Sequence, residues 1–360
     1  MPVPIAIDYR PALLSRAGIG RVVRELAVAL AARDDVSLHL FATSLAAAKV
    51  ASSPPTRARL HRWPLPARAL GLLARLGCGA DTLAGGARVF HWTDYVHPPL
   101  ARARAVLTVH DVAFARDPSW HGPAAATLLA RTRAAAAAAA AIVVPSASTA
   151  ADLRRFVPHT APVHVIPFGA DHVPQAPPPP PPLSRRYALC LGTLEPRKNH
   201  RALLAAWRGL AAHRPHLVVL GGIGWQCDAI VADVQQAVAA GLATWLPNVA
   251  DAALWSWLAH AELLLYPSQW EGFGFPPLEA MQLGVPVLAH DCAPLRELGD
   301  GVFLFVDATD PAALQQGIAR ALDDDAWRAT ARTAGRRRAT DFRWARCAAA
   351  HAAVYHEVGA

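Results

Sequence analysis

Residues 263–281 read LLLYPSQWEGFGFPPLEAM. An apolar run ends at Pro267, a loop containing Gly272 and Gly274 follows, and Pro276 and Pro277 stand where a helix begins, since proline is tolerated in the first helical turn. The order is strand, glycine loop, helix. Such a junction offers backbone N–H groups and the positive end of a helix dipole, which suits phosphate. Glycine lets the backbone come close to a ligand. Glu271 and Glu279 flank the loop with seven residues between them. A carboxylate repels phosphate, so beside a phosphate site its partners are the hydroxyls of a sugar or ribose. On spacing alone the stretch reads equally well as an ordinary βα loop whose helix carries a dipole-favoured glutamate.

Working outward, short apolar runs alternate with longer helical patterns along the whole chain. Strands are expected at residues 3–8, 36–42, 88–92, 105–110, 141–145 and 163–167, and again at 187–192, 216–221, 244–247, 263–267, 285–290 and 302–306. Their hydrophobicity is continuous rather than alternating, as strands buried on both faces of a parallel sheet require. The fold class is therefore α/β, with two doubly wound, Rossmann-like domains. The prolines of residues 177–182 favour an extended spacer. Expected boundaries are 1–176 for the first domain, 177–184 for the linker, 185–340 for the second domain and 341–360 for a terminal helix. That helix must dock on something, and the first domain is one choice. The alanine run 134–141 continues a helical pattern from Pro123 and reads as a buried helix.

The chain has 360 residues and a net charge of +8. Residues 1–182 carry 19 Lys and Arg against 10 Asp and Glu, net +9, and residues 183–360 carry 16 against 17, net −1. The surplus belongs to the first half. Only Lys49 and Lys198 are lysine, so Arg-rich patches follow a compositional bias and a retained lysine stands out. Five scattered cysteines without a C-x-x-C pair argue against a disulfide framework or zinc cluster. The N-terminus lacks the pattern of a secretory signal, and no apolar stretch is long enough to span a bilayer, so a cytoplasmic location is expected.

A second constellation is Gly192-Thr193-Leu194-Glu195-Pro196-Arg197-Lys198-Asn199, at the carboxyl end of an expected strand, where doubly wound domains bind ligands. Adjacent guanidinium and ammonium groups suit a diphosphate, and Asn199 suits a helix N-cap. Read alone, it is equally a solvated basic turn. Taken with the first stretch, it favours a nucleotide-diphosphate ligand.

Together these residues resemble the retaining glycosyltransferases of the GT-B fold, family 4. EGFGFPPLE at residues 271–279 is similar to the family's Glu-x7-Glu element, and GTLEPRKN matches at residues 192–199. Further matches are Gly18-Ile19-Gly20-Arg21, Thr108-Val109-His110-Asp111, Pro145-Ser146 and Ile166-Pro167-Phe168-Gly169. Many relatives have a double glycine where Ala17 precedes Gly18 here. The resemblance implies a donor nucleotide sugar on the second domain, an acceptor on the first and a cleft between. By the same resemblance, the catalytic set is His110, Glu271, Arg197 and Lys198. Arg197 and Lys198 would hold the diphosphate with the amides around Phe273, Gly274 and Phe275. Glu279 would bind the ribose, Glu271 the donor sugar, and Asn248 and Val249 would border the base. Gly18, Gly20, Ser146, Gly192, Thr193, Gly272 and Leu278 complete the donor set.

The motif mixture looks like mannosyltransferases of bacterial surface polysaccharides, which favours GDP-mannose as donor over a UDP-sugar. No cofactor and no metal are expected, since the acids Asp323-Asp324-Asp325 look like helix capping. Arginine stabilisation of the leaving diphosphate would replace the metal. Residues 57–80 mix five arginines with Trp63 and several leucines. They read either as a surface for an anionic membrane bearing a polyprenyl-diphosphate-linked glycan acceptor, or as a basic helix covering the core. The first would make the enzyme peripheral on the inner face of the cytoplasmic membrane. Two alternatives are a nucleotide-sugar epimerase on the same fold, for which no added acid–base pair is visible, and a basic nucleic-acid-binding protein, for which no recognition motif exists.

Overall fold

In the computed structural model, residues 2–16, 18–43, 54–176, 178–211 and 214–360 are described. Ala17 and Pro177 lie outside them. The chain divides into two compact units. Met1–Arg116, Ala124–Gly169 and Arg343–Ala360 form one, and Asp117–Pro123 with Ala170–Phe342 form the other.

The first unit is built on seven strands: β1 (Val3–Asp8), β2 (Val36–Thr43), β3 (Arg59–Trp63), β4 (Val89–Trp92), β5 (Arg104–Thr108), β6 (Ala141–Val144) and β7 (Val163–Val165). All pair in parallel, in the order β3-β2-β1-β4-β5-β6-β7. Ile5 faces Leu38 on one side and Val89 on the other. The second unit has β8 (Tyr187–Leu191), β9 (His216–Leu220), β10 (Ala243–Leu246), β11 (Leu263–Tyr266), β12 (Val287–His290) and β13 (Leu304–Val306), parallel in the order β10-β9-β8-β11-β12-β13. In each sheet the order reverses beside the first strand. The crevice outside the carboxyl ends of β1 and β4, or of β8 and β11, is where such sheets hold ligands.

Central strands such as β4, β6, β8, β9 and β11 are buried along their whole length. The packed helices show why. Helix Ile19–Ala31 buries Val23, Leu26, Ala27 and Leu30, one apolar stripe at helical spacing. Helix Ala124–Ala138 is buried on one face only, at Ala125, Thr132, Ala135 and Ala136, and ends before Ala141 opens β6, so the alanine run 134–141 is not the buried helix expected: Ala134, Ala137 and Ala138 face solvent.

All twelve expected strands are present, and β3 is additional. It is exposed along most of its length and lies in the stretch read as a basic surface segment. Its backbone pairs with β2 while its arginines stay in solvent, so no apolar run marks it. Contacts place the division at Gly169 and Phe342, not at the proline run. Residues 178–182 belong to the second unit because they rest on it: Ser256 donates a hydrogen bond to the Pro179 carbonyl at 2.6 Å, and Pro181 is buried. Asp117–Pro123 joins the same unit, where Trp225 Nε1 donates to the Trp120 carbonyl at 2.7 Å and its ring stacks on His121. The last helix, Trp344–Gly359, belongs to the first unit and buries Trp344, Tyr355 and Val358.

Candidate active site

In the second unit the end of β11 and the loops after β8 and β11 bring five side chains together. β8 ends at Leu191, and Gly192 and Thr193 lead into the short 3-10 turn Pro196–Lys198. Lys198 Nζ lies 2.5 Å from Glu271 Oε1 and donates to the Tyr266 hydroxyl at 3.2 Å. Tyr266, the last residue of β11, donates to Glu271 Oε1 at 2.8 Å. Arg197 reaches Glu271 Oε2 at 2.9 Å and Glu195 Oε1 at 2.7 Å, and also donates to the Trp270 carbonyl. Arg197, Glu195 and Glu271 are buried, so the two cations are balanced by two carboxylates, as buried charges must be.

Burial pushes the Glu271 carboxyl upward, but Arg197 and Lys198 outweigh it and hold the group at about 2. Burial and the neighbouring Glu271 push the Tyr266 hydroxyl well above its usual value. At neutral pH Glu271 is therefore an anion and Tyr266 a neutral donor. A diphosphate entering here meets cations already engaged by acids, and it competes with Glu271 for the three donors of Lys198.

Gly274 caps the helix Phe275–Leu283 with φ of 100°, and a Cβ there would come 2.7 Å from a methyl of Leu295. Pro276 and Pro277 remove two of the helix's first donors, and the Leu278 amide is spent on the Gly274 carbonyl at 3.2 Å. The helix terminus thus offers fewer amides than its position implies. Leu278 is a correction to the expected donor set: its side chain is fully buried and its amide is used inside the helix. Asn199 also differs from expectation. It occupies the cap position of helix His200–Arg208, but its side chain donates instead to the Ala308 carbonyl at 2.8 Å.

Glu279 is buried one turn into the Phe275–Leu283 helix, with Oε1 3.1 Å from His172 Nε2. Asn248 is exposed and Val249 half-buried in the loop after β10, beside Gly222. Asp324 caps the helix Asp325–Ala339 by accepting from the Trp327 amide at 2.8 Å, and Asp325 pairs with Arg328.

In the first unit His110 follows the end of β5. Its Nε2 donates to the Thr93 carbonyl at 2.8 Å, and burial keeps the ring below the usual histidine value. With Nε2 carrying the proton, Nδ1 holds the lone pair. Gly18 caps helix Ile19–Ala31, and a Cβ on Gly20 would lie 2.1 Å from the Ser15 carbonyl oxygen. Gly20 is thus required where the first turn of this helix packs on the backbone of Pro11 and Ser15. Ser146 is buried and caps helix Ala147–Phe156 by accepting from the Thr149 amide at 3.0 Å.

Sequence reasoning gave no role to Glu195, Tyr266 or His172. Tyr266 carried a signal, a polar tip closing an apolar strand. Glu195 pairs with Arg197 only two residues on, so the motif itself held that signal, whereas His172 meets Glu279 only in three dimensions.

Residues 16–174 match the family model Glycosyltransferase Family 4, and residues 175–338 match the one described as Glycosyl transferases group 1. The chain is a family 4 glycosyltransferase. This glycosyltransferase is 29% identical over 273 residues to O-antigen chain mannosyltransferase B of Escherichia coli, covering 72% of this chain and 71% of that protein. It is 31% identical over 139 residues to the serotype-specific mannosyltransferase WbdA of Escherichia coli, 38% of this chain but only 17% of WbdA, so it spans less than a fifth of that relative. Among solved structures, sucrose-phosphate synthase from Thermosynechococcus elongatus superimposes with a TM-score of 0.80 at 22% identity, covering 99% of this chain and 98% of the other. That likeness establishes the GT-B fold.

Proposed function

We propose that this glycosyltransferase moves a mannosyl residue from GDP-mannose to a glycan or polyprenyl-diphosphate-linked saccharide in polysaccharide biosynthesis, with retention of configuration and without a metal ion. The observation that carries the reading is the buried cluster of Arg197, Lys198, Glu271 and Tyr266 at the switch point of the second sheet. As the bond from the sugar's anomeric carbon to phosphate breaks, charge grows on the leaving diphosphate. Lys198 and Arg197, for whose donors the diphosphate competes with Glu271, stabilise it together with the loop of Gly272, Phe273 and Gly274. The acceptor oxygen bonds to the same face of that carbon, and its proton passes to the departing phosphate oxygen. Glu271, held anionic, accepts from the sugar's hydroxyls and Glu279 from the ribose. Asn248 and Val249 border the base. The mannosyl preference draws on the mannosyltransferases among the relatives.

The test is a panel of GDP- and UDP-sugars scored by thermal stabilisation and slow nucleotide release. A true donor at about 100 times its Kd stabilises by about 2.7 kcal/mol. GDP-mannose is expected to give the largest shift, and Lys198→Ala and Glu279→Ala to remove it. A larger shift with a UDP-sugar overturns the donor assignment, and equal shifts in both variants overturn the site.

The acceptor side draws on the first unit. Leu60, Trp63, Leu72 and Leu76 are exposed among Arg57, Arg59, Arg62, Arg68 and Arg75. Helix Ala67–Arg75 presents Arg68, Leu72 and Arg75 to a hollow of about 630 Å³ that Pro99 and Leu100 also line. Exposed apolar side chains ringed by arginine suit an anionic lipid surface. Membrane attachment would be peripheral, since no helix among the described residues is long and apolar enough to cross a bilayer. Flotation with anionic liposomes at low salt should carry the protein upward, and failure to float removes this part of the reading.

A further inference from the structure

Two helices converge on the ring of His172, which a third segment carries. Residues 170–173 form a turn in which the Val173 amide bonds the Ala170 carbonyl at 3.1 Å, so His172 projects from a fixed corner. Trp255, from helix Asp251–Ala259, lies with its ring centroid 5.7 Å from that of His172, and Phe275, from helix Phe275–Leu283, lies 5.8 Å away. The side chains of His172 and Glu279 are 4% and 2% exposed, and Nε2 meets Oε1 at 3.1 Å. Both residues lie in the second unit.

The chemistry of this pair is directional. A buried carboxylate keeps its charge only where donors face it, and an imidazole N–H is a donor whose direction is set by the plane of its ring. Here two aromatic rings hold that plane. A carboxylate has about four lone-pair sites. One of them directed at His172 fixes the rotation of the carboxyl group, and with it the directions in which the remaining sites can accept hydrogen bonds.

We propose that His172 is a positioning residue that orients Glu279 toward the ribose hydroxyls of the donor nucleotide, so that discrimination between ribose and deoxyribose runs through His172. This rests on the reading that Glu279 binds the ribose. A purely structural pair would hold the Phe275–Leu283 helix in place and affect all nucleotides alike. A positioning pair affects only nucleotides that carry the hydroxyls.

The experiment measures Kd for GDP, 2′-deoxy-GDP and 3′-deoxy-GDP, with the UDP series in parallel, on the full chain. The proteins are wild type, His172→Phe, His172→Gln and Glu279→Gln, each checked for folding by circular dichroism and its melting temperature. Wild type should prefer the ribonucleotide about tenfold or more over at least one deoxy form. Glu279→Gln should lose that preference. His172→Phe keeps an aromatic ring between Trp255 and Phe275 but removes the donor, and should lose most of the preference while binding the deoxy form about as wild type does. His172→Gln returns an N–H and should recover part of it. If His172→Phe and His172→Gln both fold and keep the wild-type preference while Glu279→Gln loses it, His172 does not position Glu279 and the ribose reading stands. If Glu279→Gln keeps the preference, the ribose reading fails and the role of His172 falls with it.

Discussion

The hydroxyl of Tyr355 lies 2.7 Å from Nδ1 of His91, 264 residues earlier in the chain. Nε2 of the same imidazole lies 2.6 Å from the hydroxyl of Thr108, so a ring at the end of β4 is bonded on both sides. All of it is buried in the first unit, and His351 stands beside it, its Nδ1 2.9 Å from the Cys347 carbonyl. This is what fastens the last helix.

Tyr355→Phe should therefore destabilise the first unit by about 1–3 kcal/mol, the cost of leaving a buried polar atom without its partner. Urea unfolding followed by tryptophan fluorescence measures it. A change below about 0.5 kcal/mol would mean that packing of the Tyr355 ring alone holds the helix.

Acid should weaken the fold through its buried histidines. Burial drives His351 down to about 4 and His200 to about 3, and holds His91 well below its usual value. Each binds a proton in the unfolded chain near pH 6.5 but not in the folded one. Stability is thus complete above about pH 6.5 and falls below it by about 1.4 kcal/mol per pH unit for each group. Asp8 works the other way. Burial raises it to about 7, against the opposing pull of Arg10, so between about pH 4 and 7 the folded state holds the extra proton and gains as pH falls. Three histidines against one aspartate leave a net loss on acidification. His200, with neither ring nitrogen bonded, isolates one share. His200→Leu should raise stability at pH 7 and flatten the slope between pH 6 and 4; an unchanged slope would show that another group carries it.

Glu271 should be intolerant of change, because it is the common partner of Arg197, Lys198 and Tyr266. Glu271→Gln leaves Arg197 with Glu195 alone and half-buried Lys198 facing a neutral amide, and breaking a buried ion pair costs about 3–5 kcal/mol. Transfer activity should drop at least about 100-fold and the melting temperature should fall with it. Loss of activity at an unchanged melting temperature would mean that the cluster relaxes without strain.

Gly221→Ala should disrupt the donor loop from a distance. A Cβ there would come 1.9 Å from the Gly192 carbonyl oxygen, which cannot yield without moving Thr193. At Gly222 the nearest atom is the Pro247 carbonyl oxygen at 3.4 Å. Gly221→Ala should cost about 2 kcal/mol or more and weaken nucleotide binding, with Gly222→Ala milder on both counts. Equal effects would show that the loop shifts freely.

Much of this architecture is written locally. β6, β8 and β11 are apolar runs because a strand covered on both faces has no polar side to show. The loop of Gly272 and Gly274, Pro276 and Pro277 announces its strand-to-helix turn through backbone rules that act over a few residues. β3 is silent for the opposite reason. As an exposed edge strand it needs only backbone pairing with β2, and its Arg59 and Arg62 fit a surface helix just as well. Leu278 shows the reverse error, a side chain inside a ligand motif that serves the core.

From its order of residues alone this protein is determined to be two parallel α/β sheets, with a glycine-containing strand-to-helix loop after Pro267 in the second, because strand burial and turn chemistry are local properties. Only the tertiary structure decided that Arg197 and Lys198 are both paired with Glu271, that His172 meets Glu279 across 107 residues, and that Tyr355 reaches back to His91. Those pairings depend on which surfaces meet when the chain closes, and a buried charge or donor takes whatever partner that closure brings within about 3 Å.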